Sequence, residues 1–184
     1  DVYLDAAPGA RLPAILHVGL EPRRAQFEMN RAFAERLVSE GYAAVFVEPR
    51  GVGASFGCHE GFFGPKDGKD LRAVIEAIAA EPWCDGRVGM FGGSNHGGFQ
   101  HLAAAEAPEH LAAIVPCDCN AECYYQNFPN GASALPHLPG HRFPGGEIGE
   151  PVDEDPAPDF PLAREAAACH ARTGAFLSPY LPSM

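Results

Sequence analysis

The chain has 184 residues, 46% of them hydrophobic, and a formal net charge of −11. Length and composition fit one globular domain with a sizeable core rather than a disordered chain. The acidic balance argues against nucleic acid and anionic membrane surfaces as partners, which take basic patches. No apolar run approaches the roughly 20 residues that span a bilayer, and nothing in the residues assigns a compartment.

In chain order, residues 12–18 form a short apolar run after Ala7-Pro8-Gly9 and predict a buried strand. Asn30 is placed to cap a helix running to about residue 40, with Phe33 and Leu37 on one face and Gly41 as its stop. Residues 42–47 predict the next strand, and residues 49–64 a Gly-rich loop that Arg50 should anchor by ion pairing. A helix opening at Pro65 or Asp67 and closing near residue 80 carries Leu71, Val74, Ile75 and Ile78 at i, i+3, i+4 and i+7. Asp70 and Glu76 are expected on its surface. Residues 88–91 predict a strand, 95–107 a helix and 111–115 a fourth strand. Strands alternating with helices predict a mostly parallel sheet flanked by helices on both faces.

The stretch Gly92-Gly93-Ser94-Asn95-His96-Gly97-Gly98 joins a predicted strand to a predicted helix. That layout suits a nucleophile elbow, in which a serine on a tight strand-to-helix turn stands above the sheet. Such a turn strains the serine backbone and needs small neighbours. The pattern is Gly-x-Ser-x-x-Gly, one residue longer than the strict Gly-x-Ser-x-Gly form. A Gly-rich turn of this kind can also be purely structural or hold a phosphate, so the local motif leaves these readings open.

The flanks add weight to the first reading. Pro82-Trp83-Cys84-Asp85-Gly86-Arg87-Val88-Gly89-Met90 precedes the turn, and Arg50-Gly51-Val52-Gly53-Ala54-Ser55-Phe56-Gly57 stands before that. Over roughly residues 1–132 the chain resembles the cocaine esterase and X-prolyl dipeptidyl peptidase-like family of serine acyl hydrolases. The resemblance implies an α/β-hydrolase fold, Ser94 as nucleophile and the Asn95 backbone N–H as one oxyanion donor. It implies cleavage of an ester or amide substrate through an acyl-enzyme. Two residues depart from the family. Asn95 stands where a Tyr usually follows the serine, and Val18-Gly19-Leu20-Glu21-Pro22 lacks the Tyr whose hydroxyl is the second oxyanion donor. Losing such a donor costs about 3 kcal/mol of transition-state stabilisation. Glu21 could instead hold a substrate amine, as an X-prolyl aminopeptidase would require.

Chain order in α/β-hydrolases is Ser, then acid, then His. In the resembling family both partners lie far beyond the strand that follows the nucleophile helix. The chain thus reads as the N-terminal part of a larger hydrolase, with the remainder, in the same or a second chain, as its implied partner. Residues 1–117 read as core and residues 118–184, which hold ten of the 18 prolines, as the start of a helical cap or a solvated tail. Only residues 162–172 read there as helix. Internal triad candidates are Asp118, Asp153, Asp155 or Asp159 with His137, His141 or His170. Tyr124 and Tyr125, with Phe128, supply apolar bulk for a substrate pocket, His96 is expected to line it, and His17 to be core or pocket floor. Cys117, Cys119 and Cys123 form C-x-C-x3-C, which matches no common zinc spacing. The six cysteines read as buried thiols, and no metal or cofactor is expected. The rival to an enzyme is a degenerate hydrolase fold serving as a binding module.

Overall fold

The computed structural model describes residues 1–21, 27–58, 63–64, 66–119, 130 and 156–170. Its strands are β1 (Val2–Tyr3), β2 (Leu12–Val18), β3 (Ala43–Val47), β4 (Cys84–Gly93) and β5 (Leu111–Cys117). Its helices are α1 (Phe27–Ser39), α2 (Asp67–Ala80), α3 (Asn95–Ala105) and α4 (Pro161–His170). The sheet order is β1-β3-β2-β4-β5. β2 is central, paired in parallel with β3 on one side and β4 on the other, and β5 extends the parallel run beyond β4. β1 pairs antiparallel with β3.

The chain steps outward from β2 to β3, then passes back across β2 to β4. Because crossovers share one hand, such a reversal sends the helices to opposite faces. α1 packs on β3 and β1, whereas α2 packs on α3, β4 and β2, and α3 on β4 and β5. The loop after β2 and the turn after β4 therefore leave the sheet in opposite directions, opening a crevice at the carboxyl ends of the strands.

Alternating burial along β2 divides its side chains between the two faces of the sheet. Ala14, Leu16 and Val18 join Ile75, Met90 and Phe99 in the larger core, on the α2 and α3 side. Ala44 and Phe46 meet Ala34, with Phe33 and Leu37 packed around them, on the α1 side. Each fully buried large apolar side chain contributes about 1.5–3 kcal/mol. Arg50 holds the loop after β3 to α2 through a bidentate pair with Asp70, at 2.8 and 2.6 Å. Asp70 is thus an ion-pair partner as well as a helix-surface residue. Glu76 reaches from α2 to the segment before β5, accepting from Glu109 N–H at 2.7 Å and from the His110 ring.

Several expectations are corrected. α1 begins at Phe27, so Asn30 lies inside the helix and caps nothing; Glu28 supplies the acidic first turn that favours the helix amino end. The stop is as read: Gly41 sits at φ +84°, and Gly41 N–H and Tyr42 N–H turn back to Val38 and Leu37 carbonyls. β4 starts at Cys84, not at residue 88. Between the pairs Leu12–Cys84 and Ala14–Val88 the register shifts, and Gly86 at φ +89° takes up the extra residues as a bulge. Cys84 is thereby a buried strand residue rather than part of a turn. β1 makes a fifth strand, too short to show a period. α4 matches the expected late helix to within a residue at its start; residues 171 and 172 lie outside the described residues. Of the five described cysteines, all free, Cys84 alone is buried and Cys117 is exposed. β5 is the last strand in the sheet order, with no further strand beside it among the described residues.

His17, the penultimate residue of β2, lies in an aromatic cluster. Its ring stacks on His96 at 4.2 Å and lies 5.5 Å from Phe46. Nδ1 donates to the Phe91 carbonyl at 3.0 Å. Burial, and secondarily the neighbouring His96, pulls its pKa from 6.5 down to about 4. The unfolded chain therefore takes up a proton here that the folded chain refuses, and stability falls as pH drops from 6.5 towards 4. His17→Gln should flatten that limb of a urea-denaturation profile by about 1–3 kcal/mol. An unchanged acid slope would contradict the assignment. In β4, Gly92 stands at φ +152°, and a Cβ there would strike the His96 Cβ. Gly92→Ala should cost about 1–3 kcal/mol of stability in the same experiment.

Candidate functional site

β4 ends at Gly93 and α3 begins at Asn95, so Ser94 alone turns the chain. It adopts φ +54°, ψ −121°, a region that L-residues avoid at a cost of order 1–3 kcal/mol. Its backbone is fully engaged. The N–H donates to the Cys117 carbonyl at 3.0 Å, and the carbonyl accepts from Gly97 and Gly98 N–H at 3.1 Å each. Its side chain makes no capping bond, and the residue is exposed at the helix amino end. The Asn95 N–H, in the first turn, has no acceptor within the helix. The positive end of the helix dipole favours negative charge at that point.

The glycines give the elbow its clearance. A Cβ on Gly97 would run into Cys119 Sγ, and one on Gly98 into the Phe63 ring. A brace absent from the sequence reading is Gln100, which is fully buried. Its amide donates to the Gly92 and His96 carbonyls at 3.1 and 3.0 Å and accepts from Val115 N–H at 2.8 Å. One side chain thus joins β4, α3 and β5 directly under the turn. A Gln within the mostly apolar helix segment 97–105 was its only signal.

The loop after β2 reaches the same turn. Asn95 Oδ1 accepts from Leu20 N–H at 3.3 Å, and Asn95 Nδ2 donates to Glu21 Oε1 at 2.9 Å. His96 Nδ1 lies 2.7 Å from the Val18 carbonyl. A carbonyl only accepts, so the proton is on Nδ1, and Nε2 is left facing Glu21 Oε2 at 3.4 Å. That oxygen is buried and makes no directed hydrogen bond. Gly19 permits the approach, since a Cβ there would enter the His96 ring. Leu20 N–H is consumed by Asn95 and is not offered to a ligand.

The remaining candidates scatter. His170 is buried in α4, with Nε2 2.7 Å from the Ser55 carbonyl. Asp159 pairs with Arg164 at 3.5 Å, and Asp118 is exposed at φ +45°. Tyr124, Tyr125, Phe128, Cys123, His137, His141, Asp153 and Asp155 lie outside the described residues. Cys119 stands beside the elbow, but burial first and Cys117 second push its thiol pKa up, away from a thiolate nucleophile. No group of three or more His, Cys, Asp or Glu side chains fit to hold a metal occurs among the described residues. No helix among them is long and apolar enough to cross a membrane. A cavity of about 270 Å³ lies under the loop after β3, lined by Glu48, Arg50, Phe56 and Asp67 among others; Ser94, Asn95 and Glu21 do not line it.

Comparison with known proteins places this geometry. The family model described as X-Pro dipeptidyl-peptidase (S15 family) matches residues 1–172. A Mycobacterium bovis protein described provisionally as a serine esterase is 31% identical over 153 residues, 73% of this chain and 24% of that protein. Cocaine esterase of a Rhodococcus species is 38% identical over 108 residues, 56% of this chain and 18% of the esterase. The chain therefore spans about a quarter or less of these relatives. Among solved structures, a CocE/NonD family hydrolase from Staphylococcus aureus superposes with a TM-score of 0.52 at 21% identity, over 61% of this chain and 23% of that one. At that identity the likeness shows the fold alone. The chain belongs to the X-Pro dipeptidyl-peptidase (S15) family of serine esterases and peptidases, and its sheet is built on the α/β-hydrolase plan.

Proposed function

We propose that the protein carrying this chain is a serine hydrolase that cleaves a small carboxylic ester or amide through an acyl-enzyme on Ser94. The observation that carries the reading is the backbone of Ser94: φ +54°, held by bonds to β5 and α3, with its side chain exposed at a helix amino end. A histidine base removes the hydroxyl proton as Oγ attacks the carbonyl carbon. The oxygen of the tetrahedral intermediate takes its charge against the Asn95 N–H and the helix dipole. Collapse expels the leaving group, protonated by the same histidine, and water repeats the sequence to release the acid. The base and its acid partner come from the remainder of the hydrolase, in the same or a second chain. Residues 118–184 begin a cap that brings Tyr124 and Tyr125 to the substrate, with His96 beside it.

The X-prolyl aminopeptidase alternative requires a free carboxylate for the substrate amine. Glu21 commits one oxygen to Asn95 Nδ2 at 2.9 Å and leaves the other without a hydrogen bond, so a preference for substrates with a free amino terminus would be the mark of this alternative. The rival of a degenerate binding module predicts an inert serine.

Two substitutions test the proposal in the full-length hydrolase. Ser94→Ala should lower p-nitrophenyl ester turnover by at least about 10³-fold with an unchanged melting temperature; near wild-type turnover would defeat it. Ser94→Gly should be equally inactive yet more stable by about 1 kcal/mol, since glycine accepts the strained φ and ψ. A Ser94→Gly variant no more stable than Ser94→Ala would contradict the strained turn.

A further inference from the structure

Glu21 reaches the elbow from the loop after β2 through one directed hydrogen bond, to Asn95. It follows β2, while Asn95 and His96 open α3, and the sheet order sets β2 beside β4 where the crevice opens. Three contacts close that crevice at its base: Leu20 N–H to Asn95 Oδ1, Asn95 Nδ2 to Glu21 Oε1, and His96 Nδ1 to the Val18 carbonyl. The amide of Asn95 is thereby used at both ends. The peptide unit that carries the Asn95 N–H is held at its other end, where the Ser94 carbonyl accepts from Gly97 and Gly98 N–H; the Asn95 side chain adds a tie from the adjoining Cα to the loop after β2. The bond to Glu21 involves a carboxylate, and charge-assisted bonds are about twice as strong as neutral ones. The second carboxylate oxygen is buried, lies 3.4 Å from His96 Nε2 and makes no hydrogen bond, so Asn95 is the directed partner that holds the carboxylate.

We infer that Glu21 is a positioning residue of the oxyanion hole: through the Asn95 side chain it fixes the first turn of α3 against the loop after β2, and with it the direction of the Asn95 backbone N–H. The inference rests on the proposed role of Ser94 and of that N–H. On this inference the carboxylate, bonded to Asn95 Nδ2, orients a donor instead of opposing the oxyanion. Asn95 then has two roles, since its N–H is independent of its side chain while the direction of that N–H is not.

The test is the second-order rate at which a fluorophosphonate probe labels the full-length protein, with melting temperatures measured alongside. Glu21→Ala and Asn95→Ala should each slow labelling about 10- to 100-fold, the scale of a sub-ångström to 1 Å misplacement. Asn95→Ala keeps the backbone N–H, so a loss there belongs to the side chain. The double variant should be no slower than the slower single variant, because both remove one device. Glu21→Gln keeps an acceptor for Asn95 Nδ2 and should label at no less than about a third of the wild-type rate. If Glu21→Ala does not fold, Asn95→Ala and Glu21→Gln carry the comparison. Wild-type rates in Glu21→Ala and Asn95→Ala, losses that multiply in the double variant, or no rescue by Gln would overturn the positioning role. Labelling that is absent from the wild type, or persists in Ser94→Ala, would instead overturn the proposed function.

Discussion

A single residue stands between β4 and α3. The strand ends at Gly93, the helix starts at Asn95, and Ser94 must reverse the chain in one step. No ordinary L-residue conformation does this, so the turn exists only because its surroundings over-determine it. β5 supplies a carbonyl for the Ser94 N–H, α3 supplies two N–H groups for its carbonyl, and Gln100 ties all three elements together below it. Glycines at 92, 97 and 98 clear the space on either side. The result is a hydroxyl-bearing side chain held out at the positive end of a helix, where an anion is stabilised.

The crevice in front of that side chain follows from topology rather than from any one contact. Reversal of strand order about β2 sends neighbouring connections to opposite faces and leaves an opening at the strand ends. A solved family hydrolase shares this scaffold, and in this chain the loop after β2 crosses the opening. There Asn95 bridges Leu20 and Glu21 beside the stacked His17 and His96 rings. His17 stays neutral above about pH 4, so it adds no charge beside Glu21 at physiological pH.

Where hydrophobic period and turn chemistry agree, the sequence was legible. Residues 12–18 were read to the residue and the helix at 67–80 to one of its two offered starts, because an apolar run bounded by turn residues and an i, i+3, i+4, i+7 stripe leave little freedom. The elbow was legible because only glycines allow such a turn. The start of α1 was not, since packing of Phe33, Ala34 and Leu37 on β3 overrides the preference of Asn30 for a cap. The first residues of β4 were hidden by Asp85-Gly86-Arg87, which reads as a turn and serves as a bulge. β1 owes its two residues of strand to β3 and has no pattern of its own. Within the site, Ser94 follows from motif and flanks, whereas the Gln100 brace and the Asn95 bridge depend on which distant carbonyl or N–H lies within reach. That information is in the packing of β2, β4 and β5, and no spacing rule contains it.

The central claim is that Ser94 attacks and the Asn95 N–H receives the resulting charge. A crystal structure of the full-length hydrolase after phosphonylation reads both at once, because the tetrahedral phosphorus copies the intermediate. The account predicts phosphorus bonded to Ser94 Oγ, with a phosphoryl oxygen about 3 Å from the Asn95 backbone nitrogen. Phosphorus on another residue, or a phosphoryl oxygen turned away from Asn95 N–H, would contradict it.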